Sequence, residues 1–216
     1  MARKKSSIKP DVETLQNDPG YILLLELDFN NLIPFVLKNI RKKSLITFFY
    51  AGINLAMLTF IFWYLIQEII GAEMVWKQIL GQSITGILTG TILIIPVHEL
   101  IHGLVYRLLG AKKIQFGADM QQFIFFVTAD RFPVSANQLF LLALSPFLVI
   151  NSITILLLLF WMPNLLLFAA LFLLSHNIMC IGDFAVVNYV MQEKGRVYNF
   201  DVISERKSYF YKVLLR

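Results

Sequence analysis

Long, mostly apolar runs that contain at most one Asp, Glu, Lys or Arg each are separated along the chain by shorter segments. Four such runs cover residues 45–67, 82–106, 137–161 and 164–190. Each run is long enough for a helix that crosses a bilayer, which needs about 20 residues. No Asp, Glu, Lys or Arg occurs from Phe132 to Gly182, so we expect the third and fourth runs to form a tight hairpin across Trp161-Met162-Pro163-Asn164. The pattern therefore predicts four membrane-spanning helices.

Two further segments carry a weaker pattern. Residues 21–40 are apolar but are interrupted by Glu26, Asp28 and Pro34, which favours an interfacial or packed segment over a fifth span. Residues 112–131 alternate weakly between apolar and polar positions, which predicts a short β-hairpin. The predicted fold is thus an all-α integral membrane protein, with four transmembrane helices and a short cytoplasmic β-hairpin between spans two and three.

Composition and charge support a membrane protein and indicate its orientation. The chain is 57% hydrophobic and 15% charged, whereas soluble domains carry about 25% charged residues. Lysines and arginines lie in residues 1–43, 107–131 and 194–216, and the two remaining connections hold only Lys77. Because basic segments mark the cytoplasmic side, we expect a multi-pass protein of the cell membrane with both termini in the cytoplasm. The net charge of +5 follows from these topology signals and does not indicate a nucleic-acid partner.

A motif with the spacing of a metal site lies inside the second run, at His98-Glu99-Leu100-Ile101-His102. Two histidines four positions apart lie one above the other on a helix, so both imidazoles can face one metal ion. Glu99 between them can then act as general base on a metal-bound water. Ionisable side chains at membrane depth are costly, which makes function the default interpretation. The motif predicts zinc ligation by His98 and His102 and catalysis by Glu99.

A catalytic zinc ion takes three protein ligands and keeps one position for water, so a third ligand is needed. Asp183 is the first charged residue after the long uncharged stretch. His102 precedes Lys112 by ten residues and Asp183 precedes Lys194 by eleven; at about 1.5 Å per residue, both then lie at nearly the same depth. His176, two turns before Asp183, is a rival ligand, a substrate-binding or supporting group, or a hydrogen-bonded core histidine.

For several polar or small residues in the apolar runs, we first expect a role in helix packing. Asn151 and Asn177 are expected to hydrogen-bond across helices, although either of them, or His176, could also donate a hydrogen bond during catalysis. Gly86 and Gly90 are small residues four positions apart, and this spacing permits close helix packing.

Three stretches carry a resemblance to a known class: Pro96 to Gly103, Ala143-Leu144-Ser145-Pro146-Phe147, and Gly182-Asp183. The motif on one membrane helix, a cytoplasmic hairpin, a proline-containing third helix and an aspartate on a fourth resemble the site-2 protease class of intramembrane zinc metalloproteases. More closely, they resemble the bacterial four-span "putative zincin peptidase" membrane family. The resemblance covers about residues 80–195. It implies Zn²⁺ as cofactor, Asp183 as third ligand, and a transmembrane or juxtamembrane peptide as substrate.

The motif and the resemblance together predict a membrane-embedded zinc endopeptidase that cleaves a membrane-protein or peptide segment with metal-activated water. The chain would comprise a cytoplasmic or interfacial segment (1–44), a four-span metallopeptidase domain (45–192) and a basic cytoplasmic tail (193–216). One alternative is a non-catalytic membrane scaffold or partner-binding protein that retains a metal site, but such a site has no need for Glu99. Another is an ion-transport component, which the lack of a second carboxylate cluster disfavours.

Overall fold

A computed structural model of the protein describes residues 9–71, 75–120, 124–193 and 195–214. Lys194 and the basic residues at positions 3–5 and 216, which contributed to the predicted orientation, lie outside these ranges. Within them, the helices are α1 Val12–Asn17, α2 Leu32–Ile40, α3 Leu45–Gly71, α4 Trp76–Leu88, α5 Ile95–Leu108, α6 Ala136–Phe160, α7 Leu166–Met179 and α8 Ile181–Gln192. The strands are β1 Tyr21–Asp28, β2 Ile114–Asp119, β3 Ile124–Ala129, β4 Val134–Ser135, β5 Val197–Val202 and β6 Lys207–Val213.

Three helical stretches of the described residues are long and apolar enough to cross a membrane. They are α3, α6, and the continuous stretch Trp76–Leu108, in which a π-helical segment at Thr89–Leu93 joins α4 to α5. The expected fourth span is broken instead. Helices α7 and α8 meet at Cys180 with a bend of 46°, and Asp183 lies in the first turn after that bend.

The prediction of an all-α fold with four transmembrane helices and one hairpin is wrong. The hairpin itself is present, as β2 paired with β3. A second antiparallel sheet, with strand order β1-β6-β5-β4, joins the segment predicted to be interfacial to the predicted basic tail. Tyr21 lies opposite Val213 in this sheet. The sheet was not predicted because β1 is an almost unbroken apolar run and its partner strand lies far away in the sequence. No local pattern therefore indicates that the two strands pair.

The four-stranded sheet has two different faces because successive side chains of a strand point to opposite sides. One face is covered by α1 and buries Phe200, Val202, Tyr209 and Tyr211 against Val12 and Leu15. The other face lines a cavity shared with α2, α5 and α6, and it carries Asn199, Asp201, Ser208 and Phe210. The sheet thus forms one wall of a cavity that α5, the helix of the metal motif, also lines.

Helix α4 and the π-helical segment pack directly on the backbone of α7, as the spacing of their glycines predicts. A Cβ atom on Gly86 would lie 2.7 Å from the carbonyl oxygen of Phe168, and one on Gly90 would lie 2.4 Å from that of Phe172. Such distances are shorter than any van der Waals contact, so only glycine fits. The close approach fixes where α7, and therefore α8, stands relative to the metal motif.

We expect Gly90→Ala to destabilise the protein by about 1–3 kcal/mol, because the added methyl group overlaps a backbone oxygen that cannot move alone. Gly81→Ala on α4 is the matched control, since a Cβ there meets nothing within 4 Å. It should be neutral or stabilising by up to about 1 kcal/mol, because alanine favours a helix over glycine. Denaturation of the purified proteins in the same detergent measures both. Equal effects of the two substitutions would contradict the close packing.

Candidate active site

Three side chains from two helices converge at one point. His98 and His102 lie one turn apart on α5, and their Nε2 atoms are 3.1 Å apart. Asp183 on α8 places Oδ2 at 3.3 Å from Nε2 of His98 and Oδ1 at 3.4 Å from Nε2 of His102. These distances lie within the limit of about 5 Å for atoms that share a metal through bonds near 2 Å. The three residues therefore form a candidate metal centre.

Helix α6 orients His102 through a carbonyl that its own proline has released. Pro146 has no N–H and cannot donate to the carbonyl of Leu142 four residues earlier. That oxygen instead accepts hydrogen bonds from Nδ1 of His102 at 2.9 Å and from Oγ of Ser145 at 2.9 Å. A carbonyl can only accept, so Nδ1 of His102 carries a proton. Nε2 of the neutral ring then presents its lone pair to His98 and Asp183, the arrangement typical of a metal-ligating histidine.

His176 lies behind His98, on the side away from Asp183. Its Nε2 is 3.2 Å from Nδ1 of His98 and 3.7 Å from Sγ of Cys180. His98, His176 and Cys180 are close enough to form a second possible ligand set, but His176 and Cys180 have no exposed surface and do not line the cavity. In this position His176 can accept a hydrogen bond from His98 and hold its ring.

Asn151 and Asn177 lie away from the converging side chains and tie three helices together. Nδ2 of Asn151 donates to Oδ1 of Asn177 at 2.7 Å, linking α6 to α7, and also to the carbonyl of Phe147 at 2.7 Å. Nδ2 of Asn177 contacts Sδ of Met57 on α3 at 3.2 Å. Neither asparagine lines the cavity, so this geometry gives both a packing role.

The chemistry and the spacing of the three converging side chains fit a zinc ion. Tetrahedral zinc with bonds of 2.0–2.1 Å sets neighbouring ligand atoms roughly 3.3 Å apart. The observed separations are 3.1, 3.3 and 3.4 Å. Two imidazole lone pairs and a carboxylate are electron-rich groups that would repel one another without a cation or a proton between them. A zinc ion held by His98, His102 and Asp183 would satisfy all three.

Glu99 stands between the metal centre and the β-hairpin. Its carboxylate accepts a hydrogen bond from the backbone N–H of Val127 on β3. The hairpin can approach α5 this closely because residue 103 is glycine; a Cβ there would lie 3.0 Å from Cζ of Phe116. A cavity of about 570 Å³ opens at this point, and its wall includes His98, Glu99, His102 and Asp183.

The rest of the cavity is mostly apolar, with one polar end that the sequence analysis missed. Apolar side chains form most of the lining, and the largest groups of them lie on α2 and β3; the polar end consists of Tyr106, Thr128, Asn199, Asp201 and Ser208. Burial raises the pKa of Asp201 to about 6, against hydrogen bonds from Ser208 and Tyr106 that lower it. The available signal is the alternation of polar and aromatic residues in 198–201, which is typical of a strand and lies within the segment predicted to be a basic tail.

Residues 91–198 match the family described as "Putative zincin peptidase". The matched stretch is half of the chain and contains every residue of the candidate metal centre together with Glu99 and Leu142. No curated protein and no solved structure matches the chain. The match supports a zinc metallopeptidase in general, in agreement with the donor set described above. The chain belongs to the family described as "Putative zincin peptidase".

Proposed function

We propose that the protein is a membrane-embedded zinc endopeptidase of the site-2 protease type, which cleaves a transmembrane or juxtamembrane segment of a membrane protein or peptide. The observation that carries the proposal is the convergence of His98, His102 and Asp183 beside Glu99, at the wall of a cavity large enough for part of a peptide. Membership of a zincin family supports the metallopeptidase chemistry.

The exposed apolar surface of the long helices supports a position within the bilayer. On α3, Leu45 is 81% exposed, Leu55 65% and Ile70 77%. Soluble monomers rarely expose apolar patches larger than a few hundred Å², so lipid is the natural cover for a whole helix of this kind. The pairing of β1 with β6 supports a topology in which the segments near both ends of the chain lie on one side of the membrane. The basic residues next to the helices support the cytoplasm as that side.

Each residue of the site then has a defined task in peptide hydrolysis. Zinc, when bound, would supply a Lewis acid that acidifies a water molecule and polarises the peptide carbonyl. The Glu99 carboxylate, oriented by the N–H of Val127, removes a proton from the water molecule as the water oxygen adds to the peptide carbonyl carbon. Glu99 then gives this proton to the amine nitrogen as the carbon–nitrogen bond breaks. The Leu142 carbonyl keeps the His102 ring in one tautomer and one orientation throughout.

The hairpin supplies a surface for an unwound substrate. Strand β3 pairs with β2 along one edge, and among the described residues its other edge has no continuous ladder partner. An extended peptide can add to such an edge by backbone hydrogen bonds. Because Val127 of this strand contacts Glu99, a peptide bound along β3 passes the catalytic carboxylate. A helical substrate segment must therefore unwind near the cytoplasmic face before it is cut.

We expect the wild-type protein and Glu99→Gln to bind zinc at about one ion per chain, and His98→Ala and Asp183→Ala to lose it, because three protein ligands are needed to hold the metal. Elemental analysis of the purified proteins measures the zinc. Glu99→Gln should abolish cleavage of single-span model substrates reconstituted in vesicles, whereas Glu68→Gln on α3 should retain it. A wild-type protein without stoichiometric zinc would refute the proposal. Zinc binding without any cleavage would favour a scaffold, and ion flux into the vesicles a transporter.

We expect Pro146→Ala to weaken zinc affinity about tenfold, the lower end of the effect of removing the outer partner of a metal ligand. The restored N–H at position 146 competes for the carbonyl of Leu142 and leaves Nδ1 of His102 without its acceptor. Competition with a chromogenic chelator measures the affinity. Pro163→Ala in the turn before α7 is the control and should leave zinc affinity unchanged. Equal affinities of both variants would show that the released carbonyl does not orient His102.

A further inference from the structure

The polar end of the cavity is built as a connected set of hydrogen bonds that runs toward one carboxylate. Nδ2 of Asn199 donates to Oγ of Ser208 at 2.7 Å, and Ser208 and Tyr106 hydrogen-bond to Asp201. The three residues on the sheet, Asn199, Asp201 and Ser208, are each less than 9% exposed. This arrangement orients donors toward Asp201 and leaves its remaining oxygen lone pairs available to the cavity.

Two side chains at this end of the cavity, Asp201 on β5 and Thr128 on β3, have unused hydrogen-bonding capacity. A carboxylate offers about four acceptor sites, and the Asp201 carboxylate accepts from two donors, Ser208 and Tyr106. None of the ion pairs found in the described part of the chain includes Asp201. Thr128 on β3 is 4% exposed, lines the cavity, and its hydroxyl has no hydrogen-bond partner among the described residues. A buried carboxylate without a cation is costly, so this end of the cavity favours a positively charged donor.

The distance between the polar end of the cavity and the Glu99 carboxylate determines which substrate residue can reach the polar end. Tyr106, which contacts Asp201, follows Glu99 by seven residues on the same helix, or roughly 10 Å at about 1.5 Å per residue. An extended peptide advances about 3.3 Å per residue. A substrate that lies along β3 with its scissile bond at Glu99 therefore places a residue about three positions away beside Asp201.

We propose that the cavity end formed by Asp201 and Thr128 is a specificity subsite that binds a lysine or arginine side chain about three residues from the scissile bond. The proposal rests on the peptidase function above and names its substrate class. Transmembrane segments carry lysine and arginine at their cytoplasmic ends, so a segment cut near that face brings a basic residue within reach. Burial raises the pKa of Asp201 to about 6, and a cation bound beside it favours the ionised form.

Binding to the full-length Glu99→Gln protein tests the subsite without requiring cleavage. The probes are fluorescent synthetic peptides with an apolar segment of about 20 Leu and Ala residues, followed by a flank that carries one Lys or, in the matched peptide, one Gln. We expect about tenfold tighter binding of the Lys peptide at the best flank position, as for a hydrogen bond to a charged group. The added change Asp201→Asn should remove this preference. Glu13→Gln, which removes a carboxylate beyond the opposite face of the sheet, should keep it.

A Lys preference that survives Asp201→Asn, or an equal affinity for both peptides in the parent protein, would overturn the subsite. Should Asp201→Asn fail to fold, Thr128→Val provides the second variant: we expect it to reduce the preference about threefold, and an unchanged preference overturns the subsite. In the wild-type protein, mass spectrometry of the products should show the cut moving with the position of the Lys. If the wild-type protein bound no zinc or cleaved no substrate but the preference for the Lys peptide still depended on Asp201, the peptidase function would be contradicted and the subsite would stand.

Discussion

The placement of Asp183 between two imidazoles of another helix is the contact on which the rest of the site depends. It requires α5 and α8 to hold fixed positions relative to each other, since their ligand atoms are 3.3 and 3.4 Å apart. The glycines of α4 and the π-helical segment supply part of this precision, because they bring the α7 backbone into direct contact with the stretch that leads into the motif. The bend at Cys180 then turns α8 so that its first turn faces the histidines.

The sheets give this centre a place for substrate. The hairpin contacts Glu99 on one side, and the four-stranded sheet closes the cavity on the other. The metal ligands and the polar cavity end are therefore presented by different layers of the protein, helices in one case and mainly strands in the other. The metal centre and the polar end of the cavity therefore have separate structural supports.

Whether a feature could be predicted from the sequence depends on how close together in the chain the residues that determine it lie. His98, Glu99 and His102 were predicted from the spacing of residues on one helix, and Asp183 was predicted because it is a charged residue in a long apolar stretch. The hairpin at β2 and β3 was predicted from local alternation. The pairing of β1 with β6, the bend at Cys180 and the polar cavity end depend on contacts between distant segments. The role of Leu142 could not be read from its side chain, because the group that acts is its backbone carbonyl.

The pairing of β1 with β6 also determines the order in which the molecule can be completed. Strand β1 is synthesised early, but its partner becomes available only after residues 207–213 have left the ribosome, so the sheet closes a loop that contains helices α3 to α8. His98, His102 and Asp183 all precede that strand and can meet before it exists. A nascent chain can therefore assemble its candidate metal centre first and the sheet wall of the cavity last. Until residues 207–213 have been made, the metal centre lies beside a cavity whose wall is incomplete.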